Sequence, residues 1–368
     1  MKIKKLTVIL FCLLYCSVIL AGCGGAGSTN NSTAAGGGIT VGFIYIGPVG
    51  DAGWTTAHDN GRKYLEANLP GCKTLFVENV PESADSERVM TELINKGCKV
   101  IFATSFGYMD YVLNVAAKFP NVTFMHCSGY KTAANAGTYF GQIEQPRYLS
   151  GIVAGEMTKA NKIGYVAAFP IPECIRGINF FTQGVRSVNP NATVKVIWTN
   201  TWYDPAKEKD AAVSLLDAGC DVIAQHQDTP GPQQAAQDRG AFSIGYNTDM
   251  SSFAPNANLT SPIWNWGPYY VKTVQAVMNG TWKNDQYWGS IADGVVDIAP
   301  LTKLVPDNVK TDVTGKRQQM IDGTLNIFQG PIKDQSGAVK VADGQKMTED
   351  EVLNMNWFVE GVDGTIPK

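Results

Sequence analysis

The sequence predicts an α/β protein made of two doubly wound parallel-sheet lobes with a ligand cleft between them. Three observations carry this. Short apolar runs alternate with helical patterns of about 10–15 residues, the signature of parallel strands covered by helices on both faces. The series restarts after residue 160. Two segments, Leu93-Ile94-Asn95-Lys96-Gly97-Cys98-Lys99-Val100-Ile101 and Leu215-Leu216-Asp217-Ala218-Gly219-Cys220-Asp221-Val222-Ile223, superpose as helix, glycine stop and buried strand.

The first series starts at Ile39. It reads as a strand over 41–46 ended by Gly47-Pro48, a helix over 54–69 stopped by Pro70-Gly71, a strand over 74–77 and a helix over 85–96 ended by Gly97. A strand over 100–104, a helix over 110–119 before Pro120 and a strand over 122–126 follow. The breakers sit where helices need them, Gly just past the end and Pro soon after. The second series has strands over 163–169, 194–198, 222–225 and 241–245, and helices over 173–188, 206–218 and 233–239. Beyond Leu301 the pattern weakens to a helix over 306–323 and short strands over 328–330, 331–332 and 356–360. The domain organisation expected is 39–144 plus about 267–284 for the first lobe and 145–266 plus about 285–300 for the second, with 301–368 completing both.

Residues 1–22 read as an export signal. Lys2, Lys4 and Lys5 precede an apolar core over 6–20, too short and wrongly flanked for a membrane span. The segment ends in Leu20-Ala21-Gly22-Cys23, which resembles the lipobox of bacterial lipoproteins. Cleavage there leaves the Cys23 thiol to carry lipid, the protein's one attachment to the outer face of a membrane. Residues 24–38 contain only Gly, Ser, Thr, Asn and Ala, a tether without core-forming side chains.

Composition narrows the function. Apolar residues make up 44% and charged residues 17%, and 30 basic against 33 acidic residues give −3, which argues against a basic nucleic-acid-binding surface. Loss of Lys2, Lys4 and Lys5 with the leader leaves 27 basic against 33 acidic residues. Three histidines (His58, His126, His226) and no Cys-x-x-Cys pair leave little for a metal centre, and no cofactor is implied. Cys72, Cys98, Cys127, Cys174 and Cys220 remain beyond Cys23; export permits disulfides, but the odd number leaves at least one thiol free, and Cys98 and Cys220, which open apolar strands, read as small buried hydrophobes.

In open parallel sheets ligands bind beyond the carboxyl ends of the strands. The residues there are Asp51 and Trp54; Phe106, Tyr108 and Asp110; Tyr130; Trp202; His226, Gln227 and Asp228; Asn247 and Asp249; Trp264 and Trp266. Indole and phenyl faces beside amides and carboxylates suit a flat ligand with a polar edge. Catalytic signatures are absent: Gly47-Pro-Val-Gly50-Asp-Ala-Gly53 has the wrong spacing for a dinucleotide loop, there is no G-x-x-x-x-G-K-[ST] or G-x-S-x-G, and no nucleophile stands beside His226. A receptor is expected rather than an enzyme.

Gly42-Phe-Ile-Tyr-Ile-Gly-Pro-Val-Gly-Asp-Ala-Gly-Trp54, Thr104-Ser-Phe-Gly-Tyr-Met-Asp110, Gly184-Val-Arg-Ser-Val-Asn-Pro190 and Trp202-Tyr-Asp-Pro-Ala-Lys207 resemble the basic membrane protein lipoproteins. These are PnrA-like solute-binding proteins of ABC transporters. The resemblance implies a type I periplasmic-binding fold with a hinge, purine-nucleoside uptake, and delivery to a membrane permease. It implies a base held between aromatic rings of the two lobes. Phe180 is a further candidate ligand-binding residue. By motif, Asp51 and Trp54 fall in a ligand-contacting loop, Asp110 matches the acid after the third strand, and Asn247 and Asp249 match the acidic pair. Three departures stand out. Trp264 follows Thr260-Ser-Pro-Ile263 where the family commonly has lysine, Asn247 replaces one acid, and His226-Gln-Asp-Thr-Pro-Gly231 replaces a glycine-rich loop. Fewer ribose contacts and more stacking area favour a free purine base such as adenine over a nucleoside. A receptor for a sugar or another small polar solute, a surface nucleoside hydrolase, and an adhesin or sensor stay open as alternatives.

Overall fold

The computed structural model describes residues 38–367; the predicted leader, Cys23 and nearly all of the tether lie outside them. The chain runs β1 (Ile39–Ile44), α1 (Trp54–Asn68), β2 (Cys72–Val77), α2 (Ala84–Asn95), β3 (Val100–Ala103), α3 (Met109–Lys118), β4 (Thr123–Cys127) and β5 (Ala136–Gly141). It continues with α4 (Glu144–Met157), β6 (Lys162–Ala167), α5 (Pro172–Val188), β7 (Thr193–Trp198), α6 (Pro205–Asp217), β8 (Val222–His226), α7 (Gly231–Asp238), β9 (Phe242–Ile244) and β10 (Asn258–Thr260). Then come β11 (Pro262–Trp264), α8 (Trp266–Met278), β12 (Gln286–Gly289), β13 (Val296–Ile298), α9 (Asp307–Ile321), β14 (Ile332–Lys333), β15 (Val339–Val341), α10 (Glu349–Leu353) and β16 (Val362–Asp363).

Two six-stranded parallel sheets result, in the orders β12-β5-β4-β3-β1-β2 and β10-β9-β8-β6-β7-β16. The repeated segment has one conformation in both. Gly97 and Gly219 take φ of 96° and 87°, and the amides of Cys98 and Cys220 each bond back to a helix carbonyl, Leu93 and Leu215, at 3.1 Å. Only glycine takes that left-handed turn without a Cβ penalty. α2 starts on Ser83, whose side chain accepts from the Asp85 amide, and α6 on Asp204, which accepts from the Lys207 amide.

The chain crosses between the two six-stranded sheets three times, from β5 to β6, from β10 to β12 and from β12 to β16, while β11 and β13 pair antiparallel with each other. Gln286–Gly289, which the sequence reading groups with the second lobe, pairs with β5 and so lies in the first sheet.

Three other differences have local causes. β5 and α4 were not predicted, because β5 carries two glycines and α4 carries Pro146, Gly151 and Gly155. Those glycines are packing features. A Cβ at Gly151 or Gly155 would strike the carbonyl of Phe181 or Val185, so α4 and α5 pack backbone to backbone. Residues 356–360 are not a strand: Asn179 takes the Trp357 carbonyl at 2.7 Å and the Val359 amide at 3.0 Å, and edge pairing passes to β16 beside β7. The C-terminal hairpin forms at β14 and β15 instead of 328–330. Cys72, Cys98, Cys127, Cys174 and Cys220 are buried free thiols. Among the described residues no helix is long and apolar enough to cross a membrane.

Candidate functional site

Loops from the carboxyl ends of both sheets line one slot, formed by Ile46, Trp54, Ser105, Phe106, Ser128, Glu173, Trp202, His226, Asp228 and Tyr246. Its empty space is about 330 Å³, counted with open solvent. A wider cleft of about 1300 Å³, counted with open solvent, shares Phe106, Ser128 and Glu173 with it and runs to Tyr130, Arg176, Gln286 and α10.

The first wall is set by Asp51. Its carboxylate accepts from the amides of Gly53, Thr55 and Thr56 at 2.8–2.9 Å and from the Thr56 hydroxyl at 2.8 Å. An anion at the α1 N-terminus satisfies orphan amides there and holds the turn. Trp54 is thereby the first helical residue. Its indole Nε1 donates to the Thr104 carbonyl at 2.6 Å, and its ring meets Trp264 edge-on, with centroids 5.6 Å apart. Behind it Trp264 stacks on Trp266 at 4.7 Å, and Trp266 on His58 at 5.0 Å. On the next loop, Glu82 accepts from the Ser105 hydroxyl and the Gly107 amide at 2.6 and 2.7 Å and fixes the turn carrying Phe106.

The opposite wall comes from the second sheet. Trp202 packs edge-on against Phe169, with centroids 5.0 Å apart. His226 tilts against Tyr246 at 4.8 Å, and the Arg147 guanidinium lies 3.7 Å over the Tyr246 ring. His226 Nε2 faces Glu173 Oε1 at 3.3 Å. Asn247, at φ 69°, joins the walls: its Nδ2 donates to Asp228 Oδ1 at 3.1 Å, and its Oδ1 accepts from Trp264 Nε1 at 2.9 Å. The two lobes touch. Thr248 Oγ1 donates to the Ala52 carbonyl, and a Cβ at Gly53 would strike the Asp228 carbonyl.

The slot is rich in acids and poor in positive charge. Burial pushes Asp228 well above the usual carboxylate range, and Asp51 and Glu208 nearby add to the push. Glu208 is pushed up to about 7, also mainly by burial. Burial raises Asp51 as well, against the pull of its hydrogen bonds. Burial holds His226 down to about 4 in spite of Glu173. The side chains of the slot therefore offer hydrogen-bond acceptors and aromatic faces, with no lysine or arginine lining it.

Of the site residues expected from the sequence, the slot gathers Trp54, Phe106, Trp202, His226 and Asp228. Trp264, Trp266 and Asn247 stand directly behind them. Gln227 is buried, with Nε2 on Thr199 Oγ1 at 2.6 Å. Asp51 is the helix cap already described and reaches the outer rim of the cleft beside Tyr203. Tyr130 lines the wider cleft. Four residues lie away from the slot. Tyr108 is buried with its hydroxyl on the Val80 carbonyl, Phe180 packs edge-on against Phe328, Asp110 pairs with Lys131 at the surface, and Asp249 caps the Ser251 amide. Sequence reading missed Glu173 and Tyr246. The cleft-edge rule that found the others reaches Glu173 too, since it opens α5 in the loop after β6.

Residues 39–330 match the family model for PnrA-like ABC transporter substrate-binding proteins. A purine-binding protein of Brucella abortus is 46% identical over 331 residues, covering 90% of this chain and 94% of that protein. A protein of Haloferax volcanii, provisionally named an ABC transporter glucose-binding protein, is 40% identical over 331 residues, covering 89% of this chain and 81% of its own. Among solved structures, an ABC transporter solute-binding protein from Aeropyrum pernix K1 superposes with a TM-score of 0.69 at 19% identity, covering 85% of this chain and 95% of that one. One from Conexibacter woesei gives 0.64 at 22% identity, covering 78% and 98%. At such identities the structural likeness speaks for the two-lobed fold.

Proposed function

This chain belongs to the PnrA-like family of ABC transporter substrate-binding proteins, and on that premise we propose that it is a lipid-anchored receptor that captures a free purine base, adenine foremost and a nucleoside next, and presents it to a membrane permease. The observation that carries the reading is the slot itself, with Trp54 and Phe106 from one lobe and Trp202 and Tyr246 from the other enclosing a space edged by Asp228 and Glu173. Aromatic faces grip a planar heterocycle, and acceptors at the rim take its N–H groups. The high identity to a purine-binding protein supports the same ligand class. The preference for a base rests on Trp264 and Asn247. These positions, where the family resemblance implies ribose contacts, hydrogen-bond each other and are spent on the wall.

Ligand bridging both lobes favours the closed arrangement by its extra contacts there, and the permease reads that shape. Lipid on Cys23 holds the receptor at the outer face of the membrane; Cys23 lies outside the described residues. A second reading, a sugar receptor, is favoured by the glucose-binding name of the Haloferax relative, because aromatic walls stack on sugars as well.

Calorimetric titration with adenine, adenosine and glucose separates these readings. Adenine is expected to bind tightest. Tighter adenosine overturns the base preference, and binding of glucose alone overturns the purine reading. Incubation with adenosine and assay for released base tests the hydrolase alternative. Metabolic labelling with a fatty-acid analogue tests the anchor, the label being lost in Cys23→Ser.

A further inference from the structure

Asp228 lines the slot and is only 5% exposed. Its Oδ1 accepts from Asn247 Nδ2 at 3.1 Å, and its Oδ2 has no partner among the described residues. The charged neighbours that face it are acids from three separate elements: Asp51 before α1, Glu208 on α6 and Glu173 on α5. The nearby cations are engaged elsewhere. Arg176 Nε pairs with Glu144 at 2.5 Å, and Arg147 donates to the Gln225 carbonyl at 2.6 Å and covers Tyr246. His226, next but one in the chain, is neutral and turns Nε2 to Glu173. An ionised carboxylate set among three acids without a cation is costly, and the group relieves that cost by keeping its proton.

We propose that Asp228 meets the ligand as a neutral carboxylic acid, its Oδ2–H donating to an unprotonated ring nitrogen and its Oδ1 accepting from the adjacent amino group. That donor–acceptor pair is the complement of the amidine edge of a 6-aminopurine. A 6-oxopurine, with a ring N–H beside a carbonyl, meets the same pair when the ring is turned over, so the neutral acid suits both edges. An ionised carboxylate has no hydrogen to give and would instead suit the two adjacent N–H donors of guanine. The inference rests on the purine reading above and adds the protonation state in which Asp228 meets the base. Burial, with Asp51 and Glu208 reinforcing it, raises the pKa of the carboxyl and so favours this form.

The test is calorimetric titration of wild type, Asp228→Ala and Asp228→Asn with adenine, hypoxanthine and guanine, with a thermal melt of each variant. Asparagine reproduces the donor and acceptor of the neutral acid but does not ionise. Wild type is expected to bind adenine at least about tenfold more tightly than guanine, whose two adjacent N–H donors oppose the Oδ2–H. Asp228→Ala loses tenfold or more, and Asp228→Asn recovers most of that loss. A folded Asp228→Asn as weak as Asp228→Ala overturns the proposal, as does guanine binding tightest. If wild type binds none of the three bases, the purine reading itself falls, and this inference with it.

Discussion

Gly53 and Asp228 meet across the cleft, the first at the head of α1 in one lobe and the second in the loop after β8 in the other. A Cβ at position 53 would collide with the Asp228 carbonyl. The contact joins the two lobes, so position 53 is expected to weigh on the closure proposed above more than on the stability of either lobe.

Gly53→Ala is therefore expected to weaken ligand binding while leaving the melting temperature of the ligand-free protein close to wild type. Forcing a methyl into a packed contact costs roughly 1–3 kcal/mol, on the order of 10–100-fold in Kd. Calorimetry beside small-angle scattering with and without ligand checks it. Unchanged affinity with normal compaction would show that the contact does not govern closure.

Trp202 tests the stacking. It is half-buried in the wall and packs chiefly on Phe169, so its loss should disturb folding little. Trp202→Ala is expected to cost about 1–3 kcal/mol of binding, the usual worth of one base-on-aromatic stack. Trp54→Ala should cost both binding and stability, because that indole is buried and bonded to the Thr104 carbonyl. Comparing the two melts and the two affinities separates ligand contact from core packing.

Most of the fold was legible because parallel sheets write themselves as apolar runs with glycine and proline punctuation. The repeated Gly97 and Gly219 turns are the clearest case. β5 and α4 escaped because their glycines serve close packing and read locally as breakers. The site was legible wherever a residue directly follows a strand, as with Trp54, Phe106, Trp202 and Asp228. Tyr108 closely follows a strand end, but its hydroxyl turns inward to the Val80 carbonyl, which no strand-end rule reveals, and Phe180 lies midway along α5, packed against Phe328. Glu173 was hidden by its second role at the head of α5.

Asn247 links the wall to the polar edge, and its replacement should be felt in folding. Asn247→Ala leaves Trp264 Nε1 without its acceptor and Asp228 Oδ1 without its donor, and it puts alanine at φ 69°. Leaving a buried donor or acceptor unsatisfied costs about 1–3 kcal/mol, and the left-handed backbone adds roughly 1–2 kcal/mol. Urea denaturation is expected to show a loss of that order. A neutral result would mean that the Trp264–Asn247–Asp228 chain contributes little to the folded state.

The last prediction concerns pH. Glu208 has its folded-state pKa raised to about 7, mainly by burial, from an ordinary value of 4.5. The folded protein thus holds this proton more tightly than the unfolded chain does. Its contribution is fully present below about pH 4.5 and is withdrawn as pH rises to about 7, a loss on the order of 3 kcal/mol. Histidine acts in the opposite sense. His126 and His226 are each held down to about 4 by burial, so their penalty is lifted as pH rises from about 4 to 6.5. Below about pH 6.5 the two effects oppose each other, and above it only the acids act, so wild-type stability should decline between pH 6.5 and 7.5. Glu208→Gln isolates the acid. The wild-type advantage over this variant, measured by urea denaturation, should shrink by about 3 kcal/mol between pH 4.5 and 7.5. A gap that stays constant across that range would place the titration of Glu208 elsewhere and remove it from the acidic group that keeps Asp228 protonated.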